Sequence, residues 1–137
     1  MAIRTADAEW RGNLAQGSGH MRFGSGAFDG PYDFRSRMAD GKGTNPEELL
    51  GAAHAGCFSM ALALQLTNAG VTVKRIHTTA RVHFEERDDG WSIHRIEASI
   101  PEMAAAAFEE HAQNAKKNCP ISRALSGVDI QLRVKLL

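Results

Sequence analysis

Gly43-Thr-Asn-Pro-Glu-Glu-Leu-Leu-Gly-Ala-Ala-His-Ala-Gly-Cys-Phe-Ser-Met60 joins a helix start, a carboxylate pair and a thiol in one segment. Asn45 is a favoured N-cap residue, Pro46 occupies the first helical position, and Glu48 stands three residues on, where it closes a capping box. The helix predicted from that start runs to about Asn68 and stops at Gly70. From Leu49 to Leu66 it carries no formal charge, a run at the lower limit for a membrane span. The run is rich in Ala and Gly, however, and holds His54, Ser59 and Gln65. A helix apolar on all sides can equally be buried in a large interface, and the alternating patterns elsewhere in the chain read as soluble strands.

Working outward, no repeat, low-complexity tract or linker divides the chain, so residues 1–137 are expected to form a single domain. Residues 3 to roughly 34 are punctuated by glycines, with Trp10, Leu14, Met21, Phe23 and Phe28 scattered between them, which fits short meandering strands. Downstream, 71–85 reads as a strand, Asp88-Asp89-Gly90 as a turn and 91–100 as its hairpin partner. Pro101 opens a second helix through Lys117, with Met103, Phe108, Ala112 and Ala115 inward and Lys116 and Lys117 complementing its C-terminal dipole. Cys119-Pro120 starts a short helical turn, and 128–137 alternates as a last strand. Two main helices against mostly antiparallel sheet make an α+β domain.

The bulk properties exclude several classes. The chain has 137 residues, 43% hydrophobic and 23% charged, with Lys+Arg and Asp+Glu balanced at 16 each. That length buries a core without disulfide or metal staples. A zero net charge argues against nucleic acid and anionic membranes as partners. The opening Met-Ala-Ile-Arg-Thr-Ala-Asp lacks the apolar core of a signal peptide, so a cytoplasmic protein is expected. Cysteines rest reduced there, and a disulfide between them is transient.

There are 2 cysteines. Cys57, well inside an apolar helix, reads alone as a small buried hydrophobe, and burial raises a thiol pKa. Its reactivity therefore needs a cation, and its own helix supplies none. Arg35 and Arg37, in Phe34-Arg-Ser-Arg-Met38, are the upstream candidates, with Glu47 left free to orient one of them if Glu48 serves the cap. Ten residues of unbroken helix separate Glu47 from Cys57 by about 15 Å. A shared site therefore requires a break near Gly51 or a carboxylate from a partner subunit, and the apolar helix favours the partner. Cys119, before Pro120 at a helix start, has its own claim to be the nucleophile. His54, one turn before Cys57, leaves a Cys–His hydrolase or a metal pair open, though no zinc motif accompanies it. The other histidines read as surface or strand residues.

Lys42 to Leu62, with its Asn-Pro-Glu-Glu and His-Ala-Gly-Cys-Phe-Ser runs, closely resembles the signature of the OsmC/Ohr family of thiol-dependent peroxidases. Pro31-Tyr-Asp-Phe-Arg-Ser-Arg37 resembles the stretch carrying the arginine of the OsmC branch, and Asn118-Cys-Pro-Ile-Ser122 resembles the second-cysteine motif. The resemblance implies an OsmC-like fold whose long central helix is buried in an intertwined homodimer. It implies Cys57 as the peroxidatic cysteine, Cys119 as the resolving one, Arg37 as the activating arginine and Glu47 as its carboxylate partner, with Arg35 a rival for the arginine's role. It further implies reduction of organic hydroperoxides and hydrogen peroxide through a sulfenic acid and a Cys57–Cys119 disulfide, in oxidative or osmotic stress defence. No cofactor or metal is implied, only an external dithiol reductant of the lipoyl type that family members use. Phe58, Met60 and Leu50 are expected to favour organic substrates. A non-catalytic redox sensor or binding protein using the same thiols is the alternative.

Overall fold

The computed structural model describes residues 1–88, 90–101 and 107–135. It has the expected α+β architecture, divided into two compact units, residues 1–49 and 50–137.

The first unit is a three-stranded antiparallel sheet of β1 (Ala6–Arg11), β2 (Ser18–Phe23) and β3 (Asp29–Asp33), in that order. Aromatic residues pack along it, Trp10 against Tyr32 with ring centroids 5.4 Å apart and Phe23 against Phe28 at 5.1 Å. A short helix absent from the sequence reading follows, α1 (Phe34–Met38). Its start is a reciprocal cap: Asp33 Oδ1 accepts the Ser36 N–H at 2.6 Å, and the Asp33 N–H donates to Ser36 Oγ at 2.9 Å. The chain then returns past β3. Gly43, at φ +119°, allows the return, because a Cβ there would lie 2.7 Å from the Pro31 carbonyl oxygen that accepts the Thr44 N–H.

Helix α2 spans Pro46–Asn68, as its start and stop signals predict. Asn45 Oδ1 takes the Glu48 N–H at 2.8 Å, while the Glu48 carboxylate accepts the Thr44 hydroxyl at 3.0 Å. The helix does not break at Gly51. It ends where Gly70, at φ +73°, turns the chain and the Val71 N–H donates back to the Leu66 carbonyl.

In the second unit, β4 (Thr79–Arg87) pairs antiparallel with β5 (Gly90–Pro101), which pairs parallel with β6 (Asp129–Lys135). Helices α3 (Ala107–Asn118) and α4 (Pro120–Ala124) lie between β5 and β6 in the chain. The core joins Phe58, Leu62 and Leu66 of α2 to Phe108, Ala112 and Ala115 of α3. Gly51 faces Val82 on β4, where an added Cβ would sit 3.4 Å from the valine methyl.

Three boundaries differ from expectation. Strand pairing begins at Thr79, not near 71; Val73 and Ile76 instead pack on the core without entering a ladder. Pro101 closes β5 instead of opening a helix, which suits a residue with no N–H to give to a ladder. The β5–β6 pairing is parallel, within sheets that are otherwise antiparallel. Met103, expected on the inner face of the second helix, and Asp89 of the turn lie outside the described residues.

Candidate active site

Helix α1 and the start of α2 hold the candidate cation. The Arg37 Nη2 donates to Glu47 Oε1 at 2.7 Å, and Nε lies 3.2 Å from both carboxylate oxygens. The loop between the helices sets this geometry. Ser36 Oγ donates to the Thr44 carbonyl at 2.8 Å, and the Asn45 amide donates to the Ser36 carbonyl at 3.0 Å. Glu47 is buried whereas the Arg37 side chain is 41% exposed. Arg35 is exposed, and its backbone carbonyl accepts the N–H groups of Ala39 and Gly41. Of the two arginines, Arg37 is the one Glu47 holds.

The thiols belong to the second unit. Cys57, half-buried on α2, and Cys119, fully buried at the N-cap of α4, are both reduced and hydrogen-bonded to each other. Pro120 occupies the first position of α4 and gives no N–H, so the next donors converge on the cap: the Ser122 N–H reaches Cys119 Sγ at 3.5 Å. The two thiols differ as acids. Burial pushes Cys57 up, and its hydrogen bond to Cys119 adds to the rise against one opposing bond from the Ile121 backbone. Burial pushes Cys119 up as well. Hydrogen bonds from Cys57, from the Ser122 side chain and from the Ser122 and Ile121 backbone outweigh it and hold Cys119 below the ordinary thiol value.

His54 lies one turn before Cys57, yet its Nε2 meets Ser122 Oγ at 3.0 Å. That contact gives the imidazole a different partner from the cysteine of a hydrolase dyad. No local signal marks Ser122, which belongs to the second-cysteine segment 68 residues away. Phe58 is 1% exposed and spent on the core, so it does not line a substrate surface; Met60, at 76%, is open. Among the described residues, no group of three His, Cys, Asp or Glu side chains converges as metal ligands do.

A family model described as OsmC-like protein matches residues 39–133. The chain is 42% identical to Peroxiredoxin OsmC of Escherichia coli over 138 residues, covering 95% of this chain and 96% of that one. It is 33% identical to an organic hydroperoxide resistance protein-like 1 of Staphylococcus epidermidis, over 74% of this chain and 76% of the relative. Among solved structures, the organic hydroperoxide resistance protein OhrB of Bacillus subtilis superposes with a TM-score of 0.75 at 26% identity, covering 96% of this chain and 98% of its own. The chain therefore belongs to the OsmC-like protein family.

Proposed function

We propose that the chain is a thiol-dependent peroxidase of stress defence that reduces organic hydroperoxides and hydrogen peroxide through Cys57 and Cys119. The observation that carries this is the reduced, hydrogen-bonded pair of thiols with unequal access. Cys57 thiolate attacks the distal peroxide oxygen, and the O–O bond breaks. An alkoxide leaves and takes a proton to become alcohol, or water when the substrate is hydrogen peroxide, and Cys57 is left as a sulfenic acid. The Cys119 sulfur then displaces hydroxide from that sulfenic acid, forming the Cys57–Cys119 disulfide and, with a proton, water. An external dithiol reduces the disulfide by two exchanges and is itself oxidised. The chemistry calls for no prosthetic group. The reductant is proposed to be of the lipoyl type and the setting the cytoplasm, where both thiols rest reduced.

Access supports Cys57 as the attacking sulfur, because Cys119 is 0% exposed. Its raised pKa then requires a cation in the working enzyme, and Arg37, held by Glu47, is the proposed source. With α2 unbroken at Gly51, the proposed assembly is a homodimer in which a partner subunit completes each site. The exposed stripe Ala53, Gly56, Met60 and Leu64 on an uncharged stretch of α2 supports that assembly. The proposed single domain, 1–137, is the protomer of this dimer.

Steady-state consumption of cumene hydroperoxide with excess dithiothreitol tests the proposal. Wild type turns over, Cys57→Ser is inactive, and Cys119→Ser completes one turnover and stops at a sulfenic acid that dimedone traps. A wild-type protein that oxidises once without turnover would identify a redox sensor instead.

A further inference from the structure

Among the described residues, the mechanism leaves the buried titratable group His54 unused. It is 0% exposed, its Nε2 lies 3.0 Å from Ser122 Oγ, and its Nδ1 is buried without a hydrogen-bond partner. Burial, then the charge of Lys116 on α3, lowers its pKa and keeps the ring neutral. A neutral imidazole carries one N–H. Placed on Nδ1 it would be a stranded donor, a rarer arrangement than a bare acceptor, so the proton belongs on Nε2. The ring then donates to Ser122 Oγ. That hydroxyl has a single proton of its own, and its remaining partner is the Cys119 sulfur, which also receives the Ser122 N–H.

We infer that His54 is a positioning residue that orients the Ser122 hydroxyl toward Cys119, making Cys119 the stabilised thiolate and the leaving group when the disulfide is reduced. This rests on the reading of Cys57 and Cys119 as attacking and resolving thiols. The exchange balances as follows. A reductant thiolate attacks the Cys57 sulfur, the more accessible of the two, forming a mixed disulfide there. The Cys57–Cys119 bond breaks, and its electron pair leaves on Cys119, which is received by the Ser122 hydroxyl and N–H. A second reductant thiol then releases Cys57. Leaving groups of lower pKa depart faster, so the relay directs the reductant to the sulfur that can be reached. Lys116 on α3 is the charge that acts on the ring, while α4 contributes the neutral Ser122.

The test is the Cys119 pKa in a Cys57→Ser background, where Cys119 is the sole thiol, read from the pH dependence of thiolate absorbance at 240 nm. His54→Leu and Ser122→Ala should each raise it by about one pH unit, the scale of one lost hydrogen bond to a charged group. The double variant should go no further than the larger single change. His54→Gln, which restores an N–H near the Nε2 position, should return the wild-type value; a merely structural histidine would not be rescued in this readout. If His54→Leu fails to fold, Ser122→Ala and His54→Gln decide the matter. An unchanged pKa in Ser122→Ala, or a fully additive double variant, overturns the relay. In the diamide-oxidised protein with both cysteines, limiting glutathione should cap Cys57, and His54→Leu should slow that step roughly threefold. Capping at Cys119 overturns the leaving-group assignment. Because the titration uses no peroxide, a pKa rise in a protein without peroxidase turnover leaves the relay standing and removes the peroxidase reading.

Discussion

Leu64→Arg separates the apolar face of α2 from its core face. Leu62 is 0% exposed and packs within the cluster of Phe58, Phe108 and Ala112, whereas Leu64, two residues on, is 58% exposed. In a lone protomer an arginine at 64 would reach water, and exposed substitutions of that kind stay within about 0.5 kcal/mol. In a two-fold interface the same change occurs twice. Stranding a buried charge costs about 3–5 kcal/mol, so two copies weaken association by about 6–10 kcal/mol, roughly four to seven decades in Kd. A nanomolar dimer would then be monomeric at micromolar concentration. Leu62→Ala, by contrast, opens a cavity inside one chain and should cost about 2–5 kcal/mol of folding stability.

Sedimentation velocity at micromolar concentration, with circular dichroism to confirm folding, reads the difference. The expected outcome is a folded Leu64→Arg monomer lacking peroxidase activity. A Leu64→Arg protein that sediments as wild-type dimer would place the interface elsewhere. A wild-type monomer with full activity would remove the need for a partner.

The remaining predictions concern the site. Arg37→Met should raise the Cys57 pKa, measured by thiolate absorbance at 240 nm, while Arg35→Met leaves it unchanged; the reverse pattern would reassign the cation. Glu47→Gln should leave Arg37 mobile and lower kcat/KM for cumene hydroperoxide about tenfold, on the scale of one charge-assisted hydrogen bond. Because the folded-state pKa of His54 lies below its unfolded value near 6.5, its contribution to stability is complete above that pH. It is lost as the pH falls toward the folded pKa, at no more than about 1.4 kcal/mol per pH unit. Denaturant melts between pH 7 and 5 should show that slope in wild type and a shallower one in His54→Gln.

Local signals made α2 legible. Asn45, Pro46 and Gly70 satisfy or end backbone hydrogen bonding within a few residues, so no distant information was needed for Pro46–Asn68. The same logic was available at α1, where Asp33 and Ser36 stand at capping spacing, but five residues carry too little periodicity to register as a helix. Val73 and Ile76 misled in the other direction: they are apolar because they reach the core, and burial does not require ladder pairing. The parallel approach of β6 to β5 and the His54–Ser122 bond depend on residues far apart in the chain, and no local pattern encodes either. Arg37 and Glu47 were readable as a pair from residue type and motif. Choosing between Arg37 and Arg35 required the loop in which Ser36 and Asn45 turn one of them toward the carboxylate.

The two thiols carry opposite qualifications, and in the proposed cycle that opposition sets the direction. Cys119 has the acidity, with donors converging on its sulfur, but it is sealed from solvent. Cys57 has the access, and burial together with its neighbour works against its ionisation. A peroxide can react only where it can arrive, so acidity alone would select a nucleophile that never meets its substrate. Assigning attack to Cys57 therefore demands a cation that α2 does not carry, the role proposed for Arg37. Assigning departure to Cys119 uses the donors already present at the α4 cap. A lone thiol with both properties could be oxidised, but it would have no internal partner to stop the oxidation at the disulfide level. On the proposed assignment, dividing access and acidity between two sulfurs yields a nucleophile facing outward and a leaving group facing inward. A reductant entering by the peroxide's route then meets the sulfur whose partner departs most easily.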